Sequence, residues 1–154
     1  MSVVEDNLAA LGLSVPDVAT PAGSYVPALR HGDLVYTSGQ IPVAGGELQA
    51  VGKVGAEVSA EDAAACAQTC VLNALAAVKA VIGDLDKVTQ VVKVLGFVAS
   101  DPAFDGQPGV INGASDLIGK AFGDKGAHAR SAVGVAVLPK NVPVEVEIVV
   151  AVQD

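Results

Sequence analysis

Ala129-Arg130-Ser131-Ala132-Val133-Gly134-Val135-Ala136-Val137-Leu138-Pro139, followed shortly by Val144-Glu145-Val146-Glu147-Ile148-Val149-Val150-Ala151-Val152, decides how this chain is read. Both runs are rich in β-branched residues and read as strands, Ala129 to Leu138 and Val144 to Val152, joined by Pro139 to Pro143. Side chains alternate between the faces of a strand, so Arg130, Ala132 and Gly134 share one face. An arginine flanked by Ala and Gly stands over a hollow. There its planar fork suits bidentate capture of a carboxylate or phosphate, and a structural salt bridge is the other reading. In the second run Glu145 and Glu147 point one way and Val144, Val146 and Ile148 the other. These acids either mark the solvated face of an antiparallel sheet or serve a site.

Working outward, Val88 to Val98 is another Val-rich strand, stopped by Asp101-Pro102, and a helix is expected over Val110 to Phe122, closed by Gly123. Ser59-Ala60-Glu61-Asp62 has the form of a capping box and starts a helix of about six turns that ends at Gly83. Its stripe of Ala63, Ala67, Cys70, Ala74, Val78 and Val81 is small and apolar, which lets it sit close on a sheet. Ser24 to Arg30 and Leu34 to Gln40 read as a hairpin turning at His31-Gly32-Asp33. Glu47 to Val51 is a third short strand. Ser2-Val3-Val4-Glu5 is a second capping box, opening a short helix that ends near Gly12. The order predicts one α+β domain over residues 1–154: a mainly antiparallel sheet with two helices on one face, and residues 1–20 as an N-terminal extension with the short helix.

Composition narrows the function classes. Nine basic residues against seventeen acidic ones give a formal charge of −8, whereas a nucleic-acid binder carries Lys and Arg to replace phosphate counterions. No nucleic-acid partner is expected. Lys79, Asp84, Lys87 and Lys93 interrupt the best apolar runs, so no membrane partner is expected either. The N-terminal residues lack a signal pattern, and the expected location is cytoplasmic. Only 17% of residues are charged and 51% are hydrophobic, a hint that apolar surface is buried between subunits. Cys66 and Cys70, four apart on a helix, lack further ligands for zinc and read as small buried hydrophobes. Phosphate loops, nucleophile elbows and zinc helices are absent.

Several segments together resemble the reactive intermediate deaminase family (Rid, or YjgF-like, with an older endoribonuclease L-PSP label). They are Ala129 to Pro139 with Val144 to Glu147, Gly23-Ser24-Tyr25-Val26, and Val35-Tyr36-Thr37-Ser38-Gly39-Gln40-Ile41-Pro42, with Asn112 before the second helix. The resemblance spans Pro21 to Val152. It implies a chorismate-mutase-like fold assembling as a homotrimer around a central barrel, with active sites between subunits. It further implies hydrolysis of 2-imino or enamine acids to 2-keto acids and ammonia, with no metal and no cofactor. By similarity Arg130 holds the substrate carboxylate, Glu145 positions the attacking water, Tyr25 lines the pocket, and Ser38, Gly39, Asn112 and Ala132 shape it.

Were the last two strands a hairpin closed at Leu138 and Val144, Arg130 would lie roughly 23 Å from Glu145 at ~3.3 Å per residue. Residues that far apart reach one small substrate only from different chains. The sequence departs from the family pattern at Ala132, where many members have Cys, in the N-terminal extension, and in extra residues around Asp101 to Gly109. His128, two residues before Arg130 on the same strand face, either enters the pocket or lies at the surface. The alternative to an enzyme is a non-catalytic protein that binds a keto acid or amino acid in the Arg130 pocket.

Overall fold

The structure, a computed structural model, describes residues 2–154. Its elements are α1 (Val3–Ala10), β1 (Ala28–His31), β2 (Leu34–Thr37), β3 (Val43–Ala44), β4 (Glu47–Leu48), α2 (Ala60–Ile82), β5 (Val88–Ala99), α3 (Gln107–Phe122), β6 (Ala129–Val135) and β7 (Val144–Val152). Five strands form one sheet in the order β1-β2-β7-β5-β6, and β3 and β4 form a separate small hairpin. The α+β expectation is met, with three helices and a mixed sheet.

The mixing corrects one expectation. β6 and β7 are not a hairpin: β6 runs parallel to β5, with Val94 opposite Arg130, whereas β7 lies antiparallel between β2 and β5. The physical reason is α3. It connects β5 to β6, and a helical crossover returns the chain in its original direction, which makes a parallel pair. The earlier distance between Arg130 and Glu145 therefore no longer applies.

β1 starts at Ala28 instead of Ser24, β4 ends at Leu48 and β6 at Val135, while α3 begins at Gln107, ahead of Val110, so Asn112 lies within that helix and not before it. In the stripe of α2, Val81 is exposed and Ile82 is buried in its place. Ser2 forms the full capping box with Glu5, whereas at α2 the Ser59 hydroxyl accepts from the Asp62 N–H.

α2 is long and apolar enough in composition to cross a bilayer. Here Ala63, Ala67, Cys70, Ala74 and Val78 instead pack into one core with the inward residues of β5 and β7: Val91, Val94, Val98, Val144, Val146, Ile148 and Val150. Val4 and Leu8 of α1 join that core, and Asp86 accepts from the N–H groups of Val3 and Val4 at 2.9 and 3.1 Å. Asp86 thereby caps the free N–H groups of α1. The buried Asn73 of α2 donates to the carbonyls of Ile41 and Val43 at 3.1 and 3.0 Å and ties the β3–β4 hairpin to the helix layer.

Small residues set the helix spacing. A Cβ at Gly113 of α3 would stand 2.1 Å from the carbonyl oxygen of Ala64 in α2. Both groups belong to helix backbones and neither yields cheaply. Gly113→Ala is expected to cost about 1–3 kcal/mol through overpacking, read as a fall of several degrees in Tm.

The opposite face of the sheet carries Leu29, Leu34, Tyr36, Leu95, Phe97, Val133 and Val149 with Glu145 and Glu147, as the alternation along the paired strands requires. Leu29, Tyr36 and Val133 there are 59%, 45% and 41% exposed. The helices lie on the other side.

Candidate active site

Arg130 lies on the helix side of the edge strand β6, level with the buried Val94. Its Nη1 donates to Asn112 Oδ1 at 2.8 Å and to Ser115 Oγ at 3.3 Å, and Nη2 donates to the Pro108 carbonyl at 3.4 Å. All three acceptors are neutral and come from α3. Among the described residues the ion pairs are Arg30–Asp154 and Lys79–Glu5, so Arg130 has no acidic partner within the described chain. A guanidinium has five N–H donors. The Nε–H and one Nη2–H remain free, two donors for a group with two oxygens.

His128 does not lie idle at the surface. Its Nδ1 is 2.6 Å from the Gly126 carbonyl, and its Nε2 is 2.9 Å from Ser115 Oγ. A carbonyl only accepts, so Nδ1 carries a proton, and in the neutral ring Nε2 takes the Ser115 hydroxyl hydrogen. This turns the Ser115 lone pairs toward Arg130. Ser115 was missed by the sequence reading, although its spacing of three from Asn112 puts both on one helix face.

Ala132 and Gly134 follow Arg130 along the same face. Ala132 packs against the core. A Cβ at Gly134 would come within 2.8 Å of Gln107 Nε2, so the hollow expected beside the arginine is partly filled by that amide.

Glu145 lies on the other face of the sheet, between Val144 and Val146, which are fully buried on the helix side. Its carboxylate stands against Gly39, where an added Cβ would be 2.1 Å from Oε1. Burial pushes the Glu145 carboxyl above the usual carboxylate range, and the neighbouring Glu147 adds to the shift. Gly39 also lines a cavity of about 260 Å³ with Tyr25, Gln40, Ile41, Leu48 and Lys140. Ser38 holds the approach, donating from Oγ to the Val26 carbonyl at 2.6 Å.

The sequence-predicted residues thus fall into two groups. Arg130, Asn112 and Ala132 gather on the helix side at the β6 edge, whereas Tyr25, Ser38, Gly39 and Glu145 gather around the start of β7. Within one chain the sheet separates them. The cysteines belong to neither group: both are buried and unpaired, and burial pushes the Cys66 thiol up to about 11 and that of Cys70 well up. Such thiols are poor nucleophiles at neutral pH.

Comparison with known proteins identifies the family. Residues 5–151 match a family described as YjgF/chorismate mutase-like, with an endoribonuclease label. The protein TCP17 of Trypanosoma cruzi is 43% identical over 96% of this chain and 92% of its own length. A 2-iminobutanoate/2-iminopropanoate deaminase of Dermatophagoides farinae is 34% identical over 92% of this chain and 95% of its own. The crystal structure of Atu1372, a protein of unknown function from Agrobacterium tumefaciens, superposes with a TM-score of 0.92 at 45% identity, covering 98% of this chain and 93% of that one. The family match spans nearly the whole fold described above, and the chain belongs to the YjgF-like, or reactive intermediate deaminase, family.

Proposed function

We propose that this protein hydrolyses 2-imino acids and their enamine tautomers to 2-keto acids and ammonia, in sites built between the subunits of a homotrimer. The observation that carries the reading is the arginine. Arg130 is oriented by three neutral acceptors, has no acidic partner among the described residues and keeps two further donors, a donor set that suits a carboxylate clamp.

In this mechanism Arg130 grips the substrate carboxylate and fixes the C=N carbon in reach of water. Glu145 of a neighbouring copy takes a proton from that water as its oxygen bonds to the carbon, the C=N electron pair moves onto nitrogen, and the nitrogen takes that proton from Glu145. The resulting amino alcohol collapses to the ketone and releases ammonia. A carboxylate with a raised pKa suits the base role, because its proton affinity lies nearer neutral pH. Trimerisation draws support from the partly exposed apolar face with Leu29, Tyr36 and Val133, since a patch of that kind is covered by other copies in oligomers.

A coupled assay tests the reading. A dehydratase releases 2-aminoacrylate from serine, and keto-acid formation is timed with wild type and with Arg130→Ala. Acceleration by wild type alone supports hydrolysis with the clamp at Arg130. No acceleration across several imino acids, with keto-acid binding that Arg130→Ala abolishes, would replace the enzyme with a metabolite-binding protein.

Gly39 offers a finer check. In Gly39→Ala the new methyl group displaces the Glu145 carboxylate, the mobile end of a flexible side chain, so the fold tolerates it while the base moves. Turnover is expected to fall about 10²-fold, the scale of a misplaced catalytic group, with Tm nearly unchanged.

A further inference from the structure

The turn at Pro139–Val142 is built against the preferences of one of its residues. Lys140 (φ 57°, ψ 19°) and Asn141 (φ 56°) are consecutive left-handed residues, and Val142 N–H donates to the Pro139 carbonyl at 3.3 Å. This is a type I′ pattern, which favours Asn, Asp and Gly at its centre because other side chains crowd the following carbonyl. Asn141 fits that preference and Lys140 does not. The flanks hold the turn in place. Leu138 and Val142 are buried with Ala99 in a small apolar cluster, and the Asn141 carbonyl accepts from Gly52 N–H at 2.8 Å. Backbone strain retained under such constraint concentrates at functional positions.

The strained position brings Lys140 to the cavity of Tyr25 and Gly39. It is the sole charged residue among those that line this cavity, and it takes no part in either ion pair among the described residues. Pro21, Ile41 and Leu48 supply an apolar wall beside it. Thus the cavity next to the Glu145 half-site offers an apolar surface and an unpaired cation, in a chain whose formal charge is −8.

We propose that Lys140 is a specificity residue that favours imino acids carrying a second carboxylate, the 2-imino dicarboxylates. This rests on the deaminase reading above. Arg130 of one copy takes the carboxylate beside the C=N carbon, the apolar wall takes the methylene stem, and the Lys140 ammonium takes the distal carboxylate. The reaction is unchanged: water adds to C=N, ammonia leaves, and both carboxylates remain.

The test compares kcat/KM for 2-iminosuccinate and 2-iminopropanoate, each generated in the assay from its amino acid by an oxidase. Wild type, Lys140→Asn and Lys140→Arg are run side by side. Lys140→Asn suits the left-handed turn and keeps the fold, which a thermal melt verifies. The ratio in favour of the dicarboxylate is expected to fall about tenfold in Lys140→Asn, the scale of one charge-assisted contact. Lys140→Arg retains most of it. In wild type the ratio drops with added salt, and in Lys140→Asn it does not. Equal ratios in all three proteins would overturn the assignment of Lys140 while leaving the deaminase standing. No turnover of either substrate by wild type would overturn both.

Discussion

Mixed assemblies of Arg130→Ala and Glu145→Gln subunits are expected to regain about a quarter of wild-type turnover, because sites shared between neighbouring copies pair the two intact residues in one arrangement of four. Each variant alone is expected to lose about 10²–10⁴-fold, the range for removing a positioned acid–base or orienting group. The sheet separates the two residues. Arg130 sits level with Val94 and Ile148 on the helix side, and its guanidinium is bonded to α3. Glu145 faces the other way, against Gly39. No rotamer takes either side chain through the sheet, so one substrate meets both only between chains. The experiment unfolds and refolds the two variants together and follows keto-acid release against each variant refolded alone. Absence of recovery, with hybrid assemblies verified by mass, would remove Glu145 from the reaction and leave Arg130 as a clamp without its base.

Much of this arrangement is legible in the sequence, for identifiable reasons. Strict alternation in Val144 to Val152 assigns the faces of β7 without reference to any partner strand, and the same holds for Arg130, Ala132 and Gly134. Which strands become neighbours is a different kind of fact. The repeated Val-rich pattern of β5, β6 and β7 makes them interchangeable as partners, and a short proline-flanked connection suggests a hairpin. The strand–helix–strand order from Val88 to Val135 held the contrary signal, since a helical crossover joins parallel strands. Ser115 was recoverable in the same way, from its spacing to Asn112. Lys140 was not. Its significance lies in a positive φ, and local pattern does not predict a lysine in that conformation. His128 shows the remaining limit: it lies one residue ahead of β6, and its bond to Ser115 depends on how tightly α3 packs beside that strand.

Glu145→Gln is expected to abolish most turnover while leaving the protein at least as stable at neutral pH. Burial first, and then the charge of Glu147, raises the Glu145 carboxyl above its ordinary value. A group raised in this way binds its proton more tightly folded than unfolded. Its contribution to stability is present below the ordinary carboxylate pKa and lost as pH rises through the raised value. At neutral pH the ionised carboxylate is therefore a burden on the fold, and the neutral amide relieves it. The reaction needs the opposite state, because only the ionised carboxylate accepts a proton from water. The rate should accordingly fall on the acid side through a pKa above that of a free glutamate. Glu147→Gln, which removes the lesser cause, should move that limb toward lower pH without removing it. In Glu145→Gln the limb should vanish together with the rate, and KM should change less than kcat because Arg130 still holds the carboxylate. A variant that instead lost stability and raised KM would make Glu145 a structural residue. A residue that costs the fold something and is needed only when water attacks is one retained for chemistry.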